Sequence, residues 1–446
     1  MNVRTQFPRL DEVEAATRPD RDRAIDVIRI TALVGVVAGH TVMATSTIRD
    51  GVFVWTNLLT ASPVLQALTW IFQIMPLFFF AGVAASVQTW TPGTSWGNWL
   101  MRRCTRLYRP VFSYLAFWVV TLVVARTVLP VHVYEPVAGI SIQLLWFLGA
   151  YVLVLATVPL LAHITTTRRF VSVVAVLYAV VAGVDVLRLT YEGWSGLGYL
   201  NFAMWLIPGA FGVAYRRGLL SGGAALGTAA SAFVVNVALV ALGPYEVSLV
   251  GLESQHLKNM TPPSLLLAGH AIMLCALAIA AAPAIDRWAR RPRVWWWTVI
   301  GNSGAMTLYL WHIPPLLAVH LAFDYLGYPR FDPAAPDFVV VSVLQTAIMA
   351  VAVAGAFVAL RPLENGRLPL WDGGFVARPG VRSAAVGTAL CIAGAATLAS
   401  VGWGLKDVGL ALVAVMLCAL AAARALAGAP AARLRDRGTP IERVAR

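Results

Sequence analysis

An all-α, polytopic transmembrane bundle is the fold class this sequence predicts, and three observations predict it. Of 446 residues, 59% are hydrophobic and only 12% are charged, where a soluble domain carries about 25% charged residues. Too few charges remain to cover a water-facing surface, and the mean hydropathy is +0.74. Uncharged apolar runs, long enough for a hydrocarbon core of roughly 30 Å, recur along the whole chain. These runs are rich in Ala, Leu and Val and lack the period-two alternation of barrel strands, so they read as helices that satisfy their own backbone groups.

Twelve spans are expected, at 24–44, 64–88, 111–127, 140–163, 170–189, 199–215, 219–242, 265–285, 295–323, 338–360, 384–405 and 408–423. The first follows a polar tail, 1–23, with no apolar run close to Met1, so it reads as an uncleaved anchor rather than a signal peptide. Pro208 is expected to kink the short sixth span, and Pro314 with Pro315 to bend the long ninth near its outer end. The connections 244–263 (with Glu246, Glu253 and His256) and 324–337 (with three aspartates) are longer and more polar than the two-arginine turns. They read as an outward-facing cap or as plain connectors. The stretch 362–383 reads as a cytoplasmic linker and 424–446 as a basic, disordered cytoplasmic tail. No internal or inverted repeat is visible, which counts against common transporter architectures.

Charge gives an independent test of the span count. With the N-terminus in the cytoplasm, 27 of the 34 basic residues fall on that side and six outside, with Arg29 alone inside a span. That is the asymmetry of a multi-pass plasma-membrane protein with both termini cytoplasmic. The net charge of +13 is spread over short arginine clusters between apolar runs, with no aromatic platform for bases, so nucleic acid is not the expected partner. Cys104 is expected in a cytoplasmic loop and Cys275, Cys391 and Cys418 in spans, with neither metal-ligand nor disulfide spacing.

The first span carries the most unusual polar residues: Asp26, Arg29 and His40. Arg29 and His40 are eleven positions apart, about three helical turns, so they share a face with ~16 Å between them. Asp26 lies three residues before Arg29 and can pair with it. The structural alternative is an interfacial ion pair plus an interhelical glue histidine. Ionisable groups at this depth more often face a cavity or partner, which favours function.

With those residues in hand, the chain resembles the acyltransferase-3 family of integral membrane O-acyltransferases, in which a basic residue precedes a histidine by eleven positions. Met75–Ser86 (MPLFFFAGVAAS) is similar to the family's second span, Arg102–Pro110 to its basic cytoplasmic loop with an Arg-x-x-Arg arrangement at Arg103 and Arg106, and Leu145–Val154 to its fourth-span motif. Gly301–Leu316 resembles its late Gly-x-Ser…Tyr-Leu-x-His segment. The resemblance covers roughly 23–361. It implies a ten-helix acyltransferase-like core, 24–361, plus two C-terminal helices, 384–423. It also implies transfer of an acyl group, typically acetyl, from cytoplasmic acyl-CoA as donor substrate to a hydroxyl of an extracytoplasmic glycan, lipid or small molecule.

Arg102, Arg103, Arg106 and Arg109 offer planar forks for the donor's phosphates, although arginines are expected on that side in any case. Asp26, Arg29 and His40 form the expected catalytic set, with His40 as general base or as acyl carrier. Counted from Trp295, His312 lies at ~25 Å against ~23 Å for His40, so the two can share a cavity, with Asn302 and Tyr309 as further substrate-side candidates. Asp185 with Arg188 and Glu253 with His256 are outer polar groups with local ion pairing as the alternative. The competing functions are a transporter or flippase using Asp26, Arg29 and His40 as a relay, and an assembly subunit. No bound cofactor and no metal are expected.

Overall fold

The structure, a computed structural model, describes residues 7–61, 63–250 and 257–428. Glu253, His256 and the tail beyond 428 lie outside the described residues. Twelve helices or helix pairs are long and apolar enough to cross a membrane, and one small hairpin is the sole sheet among the described residues.

A short helix α1 (Leu10–Ala16) precedes α2 (Arg23–Met43), whose N-terminus is capped by the Asp22 carboxylate, 3.0 Å from the Ile25 amide. Then comes an element absent from the all-helical expectation. Strands β1 (Ala44–Arg49) and β2 (Val52–Asn57) pair antiparallel through a two-residue Asp50-Gly51 turn with both φ angles positive. Asp-Gly between β-branched and aromatic residues is the tight-hairpin signature, so this signal was present in the sequence. We call this end of the molecule the hairpin face and the opposite end the arginine face.

Three spans expected as continuous are broken. The second is α3 (Pro63–Phe72) and α4 (Met75–Val87), interrupted at Gln73 and Ile74 with Pro76 in the new first turn. The fourth is α6 (Val131–Ile140) and α7 (Leu145–Ala156), followed by a single turn, α8 (Val158–Leu161). The third differs in the other direction. Helix α5 (Trp96–Val128) begins well before residue 111, capped by Ser95, and runs through Pro110. Its 33 residues extend ~50 Å, so about 20 Å projects beyond the hydrocarbon. Apolar composition marks where a helix enters lipid, not where it starts. Hence Arg102–Arg109 is helix rather than loop, and Cys104 is buried in it.

Helix α9 (Thr167–Thr190) is followed by a 3-10 stretch, Glu192–Trp205, and α10 (Leu206–Arg216), so Pro208 sits in a first turn where no amide is missed. Helices α11 (Gly222–Leu242) and α12 (Leu265–Ala289) come next. The expected ninth span is three helices, α13 (Pro292–Ser303), α14 (Ala305–Leu310) and α15 (Ile313–Tyr325), bent at Gly304 as well as beside Pro314 and Pro315. Helix α16 (Phe338–Asn365) is followed by α17 (Val381–Ser400) and α18 (Asp407–Leu426).

Helix α17 packs directly on α5 and α7, and α18 packs on α17. An added Cβ at Gly149 of α7 would lie 2.6 Å from the Gly394 carbonyl of α17, an approach that only glycine permits. Ser383 accepts from the Gly97 amide at 2.9 Å, and Tyr108 bonds Thr397 at 3.2 Å. Between α16 and α17, Trp371 donates to the Thr105 carbonyl and Asp372 meets Arg109 at 2.5 Å. On the hairpin side, Asp185 is a structural node. It takes Arg188 (3.3 Å), Asn201 (2.8 Å), Tyr245 (3.0 Å) and the Leu265 amide (2.7 Å). Burial, together with the Asp185 charge, raises the pKa of the Tyr245 hydroxyl.

Candidate active site

Helix α2 carries the site because glycines on it and on α13 let neighbours come close to it. A Cβ at Gly35 would overlap Ile74 at 2.2 Å, and one at Gly301 would meet Ile30 at 2.7 Å. The breaks in α3–α4 and α13–α15 therefore face the same helix.

Near the arginine face, Asp26 accepts from Arg21 at 2.6 Å and lies 3.5 Å from Arg29. The Arg29 Nε donates to Asn302 at 2.7 Å, while the Asn302 amide donates to the carbonyls of Asp26 and Thr298, both at 2.9 Å. Asn302 thus orients Arg29 and is itself saturated. Arg21 belongs to this cluster, although nothing in the sequence singles it out. Burial opposes its charge, but the hydrogen bond and charge of Asp26, with Asp22 and Asp20 behind it, outweigh burial and raise its pKa.

The arginines Arg102, Arg103, Arg106 and Arg109 of α5 divide into two pairs. Arg103 is held by Ser86 (3.3 Å), the Trp99 carbonyl (3.0 Å) and Thr89, with its guanidinium 3.6 Å from the Trp99 ring centre. Arg109 is tied to Asp372 and to the Glu364 carbonyl at 3.0 Å. Arg102 and Arg106 are exposed and have no hydrogen-bond partner among the described residues. Arg106 is within electrostatic reach of Arg29, Arg21 and Glu364. Arg106 thus stands near Arg29 and Arg21, while Arg103 and Arg109 are engaged by protein partners.

Further into the bundle an aromatic wall begins. Tyr151 lies within electrostatic reach of Arg29 and Arg103, and its hydroxyl occupies the space a Cβ on Gly82 would take. From Tyr151 the rings continue through Phe147 (5.3 Å) and Tyr309 (5.2 Å) to His312 (6.3 Å). Tyr309 spends its hydroxyl on the Leu144 carbonyl at 2.9 Å. Glu364 accepts from the amide and hydroxyl of Thr307, both at 2.7 Å, and so fixes α14.

The wall ends at two histidines. His40 in the last turn of α2 and His312 between α14 and α15 meet at 2.9 Å, Nδ1 to Nε2. Their planes differ by 19° with centroids 5.2 Å apart, an edge-to-edge arrangement suited to an in-plane hydrogen bond. His312 is fully buried, whereas His40, enclosed by protein, keeps an accessible surface. The equal depths counted from the sequence thus become direct contact.

Beyond His40 the chain enters β1. Arg330 donates to the carbonyls of Thr41 and Val42, and its own carbonyl accepts from Ser46 at 2.9 Å. Burial lowers the Arg330 pKa. Ser46 meets His320 at 2.8 Å. Outside this lock, Thr45, Arg49, Thr56, Asn57, Phe331 and Asp332 line a shallow cleft.

The four motif segments that lie apart in the chain thus converge on one line from Arg29 to His40. Residues 22–361 match the protein family described as an acyltransferase domain. The chain belongs to the acyltransferase-3 family. No curated protein and no solved structure matches this acyltransferase-3 chain. Membership makes it a multi-pass membrane acyltransferase in general terms, and the family region ends in α16, leaving α17, which packs on α5 and α7, and α18, which packs on α17, as additional helices.

Proposed function

We propose that this protein moves an acyl group, acetyl in the first instance, from acyl-CoA to a hydroxyl of an extracytoplasmic glycan, glycolipid or related small molecule. The observation that carries the reading is the placement of Arg29 and His40 on one face of α2, with Arg21, Arg106 and Tyr151 at the Arg29 end and an accessible imidazole at the other. The positive-inside distribution puts the arginine face in the cytoplasm and the hairpin face outside, in the plasma membrane.

In this reading Arg29, Arg21 and Arg106 hold the donor's phosphates, and Arg102 meets them at the mouth. Guanidinium forks suit phosphate, and Arg102 and Arg106 are not held by protein partners among the described residues, as Arg103 and Arg109 are. The pantetheine arm extends beside Tyr151 and Phe147 and presents the thioester at His40. An acceptor approaching by the cleft at Thr45 and Arg49 needs to pass only the last turn of α2. His40 removes the acceptor's proton as its oxygen attacks the thioester carbonyl, and Asp26 keeps Arg29 in place.

The test is CoA release in proteoliposomes supplied with acetyl-CoA and a panel of glycan and glycolipid acceptors. Acceptor-dependent release that disappears in folded His40→Ala supports the reading. A folded wild type that neither binds nor consumes acyl-CoA of any chain length removes it, and places a relay role for Asp26, Arg29 and His40 in front.

A further inference from the structure

We infer that His312 is a positioning residue that fixes His40 as its Nδ1–H tautomer and so makes Nε2 of His40 the atom that takes the acceptor's proton. The functional half of this inference rests on the acyl-transfer reading above. The tautomer is a property of the resting protein and is testable without turnover.

A carbonyl can only accept a hydrogen bond. His312 Nδ1 lies 3.2 Å from the Leu308 carbonyl, and that oxygen takes no backbone amide because α14 stops at Leu310. The helix stops there because Pro314 and Pro315 bring no N–H to the carbonyls of Leu310 and Trp311. Nδ1 of His312 therefore bears its hydrogen. His312 is fully buried, and no carboxylate pairs with it among the described residues, so its ring is neutral and Nε2 carries a lone pair.

That lone pair faces Nδ1 of His40 at 2.9 Å. Two lone pairs at this distance would repel, so the hydrogen sits on Nδ1 of His40 and its Nε2 is unprotonated. Nε2 of His40 has no hydrogen-bond partner among the described residues. The in-plane approach of the rings matches a bond of this kind. The support behind His312 is rigid, since Tyr309 is bonded to Leu144 and Thr307 to Glu364, on either side of Leu308.

The chemical step balances on this arrangement. The acceptor oxygen bonds the thioester carbonyl carbon while its proton passes to Nε2 of His40. The intermediate then collapses, the C–S bond breaks, and the same proton leaves Nε2 for the departing CoA sulfur. Ester and free thiol are formed and His40 returns to its starting state. While His40 is cationic, its Nδ1–H stays on the lone pair of His312, which neither gains nor loses a proton.

The experiment uses the full chain in nanodiscs, uniformly labelled with 15N-histidine, with the His40 signals assigned as those missing from His40→Ala. The expected spectrum has a protonated, pyrrole-like Nδ1 and an unprotonated, pyridine-like Nε2 for His40. A protonated Nε2 overturns the proposal. In turnover with acetyl-CoA, His312→Gln keeps an acceptor oxygen for Nδ1–H and is expected to retain at least a tenth of kcat. His312→Leu is expected to lose about 100-fold in kcat, with KM for acetyl-CoA unchanged. Full activity in a folded His312→Leu, or equal losses in the two variants, overturns the positioning role. A wild type with the expected spectrum but no turnover would leave the tautomer standing and remove the acyl-transfer reading.

Discussion

His40 and His270 both adjoin breaks in membrane helices, and their surroundings use them in opposite ways. His270 is fully buried on α12 and its Nε2 meets the Gln73 carbonyl at 3.0 Å, an oxygen exposed by the interruption between α3 and α4. Its other nitrogen is buried without a partner among the described residues. This histidine repairs a broken backbone. His40 is bonded at one nitrogen by another imidazole, while the second is left open in an accessible place. Chemistry goes to the polar group the fold leaves unfinished, and the same rule separates Arg106 from Arg103 on α5.

The largest effect expected from this contrast is at His40. His40→Ala should lower kcat by about 10²–10⁴-fold in steady-state CoA release, with an unchanged thermal midpoint. His270→Ala should do the reverse, leaving kcat within a few-fold and lowering stability by about 1–3 kcal/mol, because the Gln73 carbonyl loses its donor. Denaturant unfolding in detergent micelles measures it, and a dead but fully stable His270→Ala enzyme would break the comparison.

The arginine pair sharpens it. Arg106→Gln is expected to raise KM for acetyl-CoA about tenfold, the weight of one charge-assisted phosphate contact. Arg103→Gln should mainly reduce stability, since its donors serve Ser86, Thr89 and Trp99. Donor titrations of both variants separate the two. The smallest effect belongs to Tyr309→Phe, which gives up the bond to Leu144 and should cost about 1 kcal/mol of stability with KM for both substrates unaltered.

The legibility of this molecule from its sequence varies by element. Spans such as α9 and α11 are plain, because a lipid-facing helix must be apolar throughout its crossing. The breaks at Gln73 and Gly304 left no such trace, since a buried interruption is repaired by partners remote in sequence, His270 at the first and Glu364 with Asn365 at the second. The hairpin was announced by Asp50-Gly51 and obscured by the apolar residues around it. Within the site, Arg29 and His40 follow from helical spacing, and His312 from a depth count. The saturation of Asn302 and Tyr309, and the inclusion of Arg21 and Glu364, do not.

The sequence by itself determined that the chain is a helical membrane bundle, how many crossings it makes, and that α2 carries a guanidinium and an imidazole on one stripe. Those are one-dimensional properties, fixed by hydropathy and by 3.6 residues per turn. Tertiary structure alone decided how Arg29 is oriented, which imidazole meets His40, and hence which nitrogen of His40 is left open. Those contacts join residues more than 200 positions apart in the chain, Arg29 with Asn302 and His40 with His312. Only packing brings such pairs within 3 Å, and only then is it settled which polar groups are satisfied and which are available to a substrate.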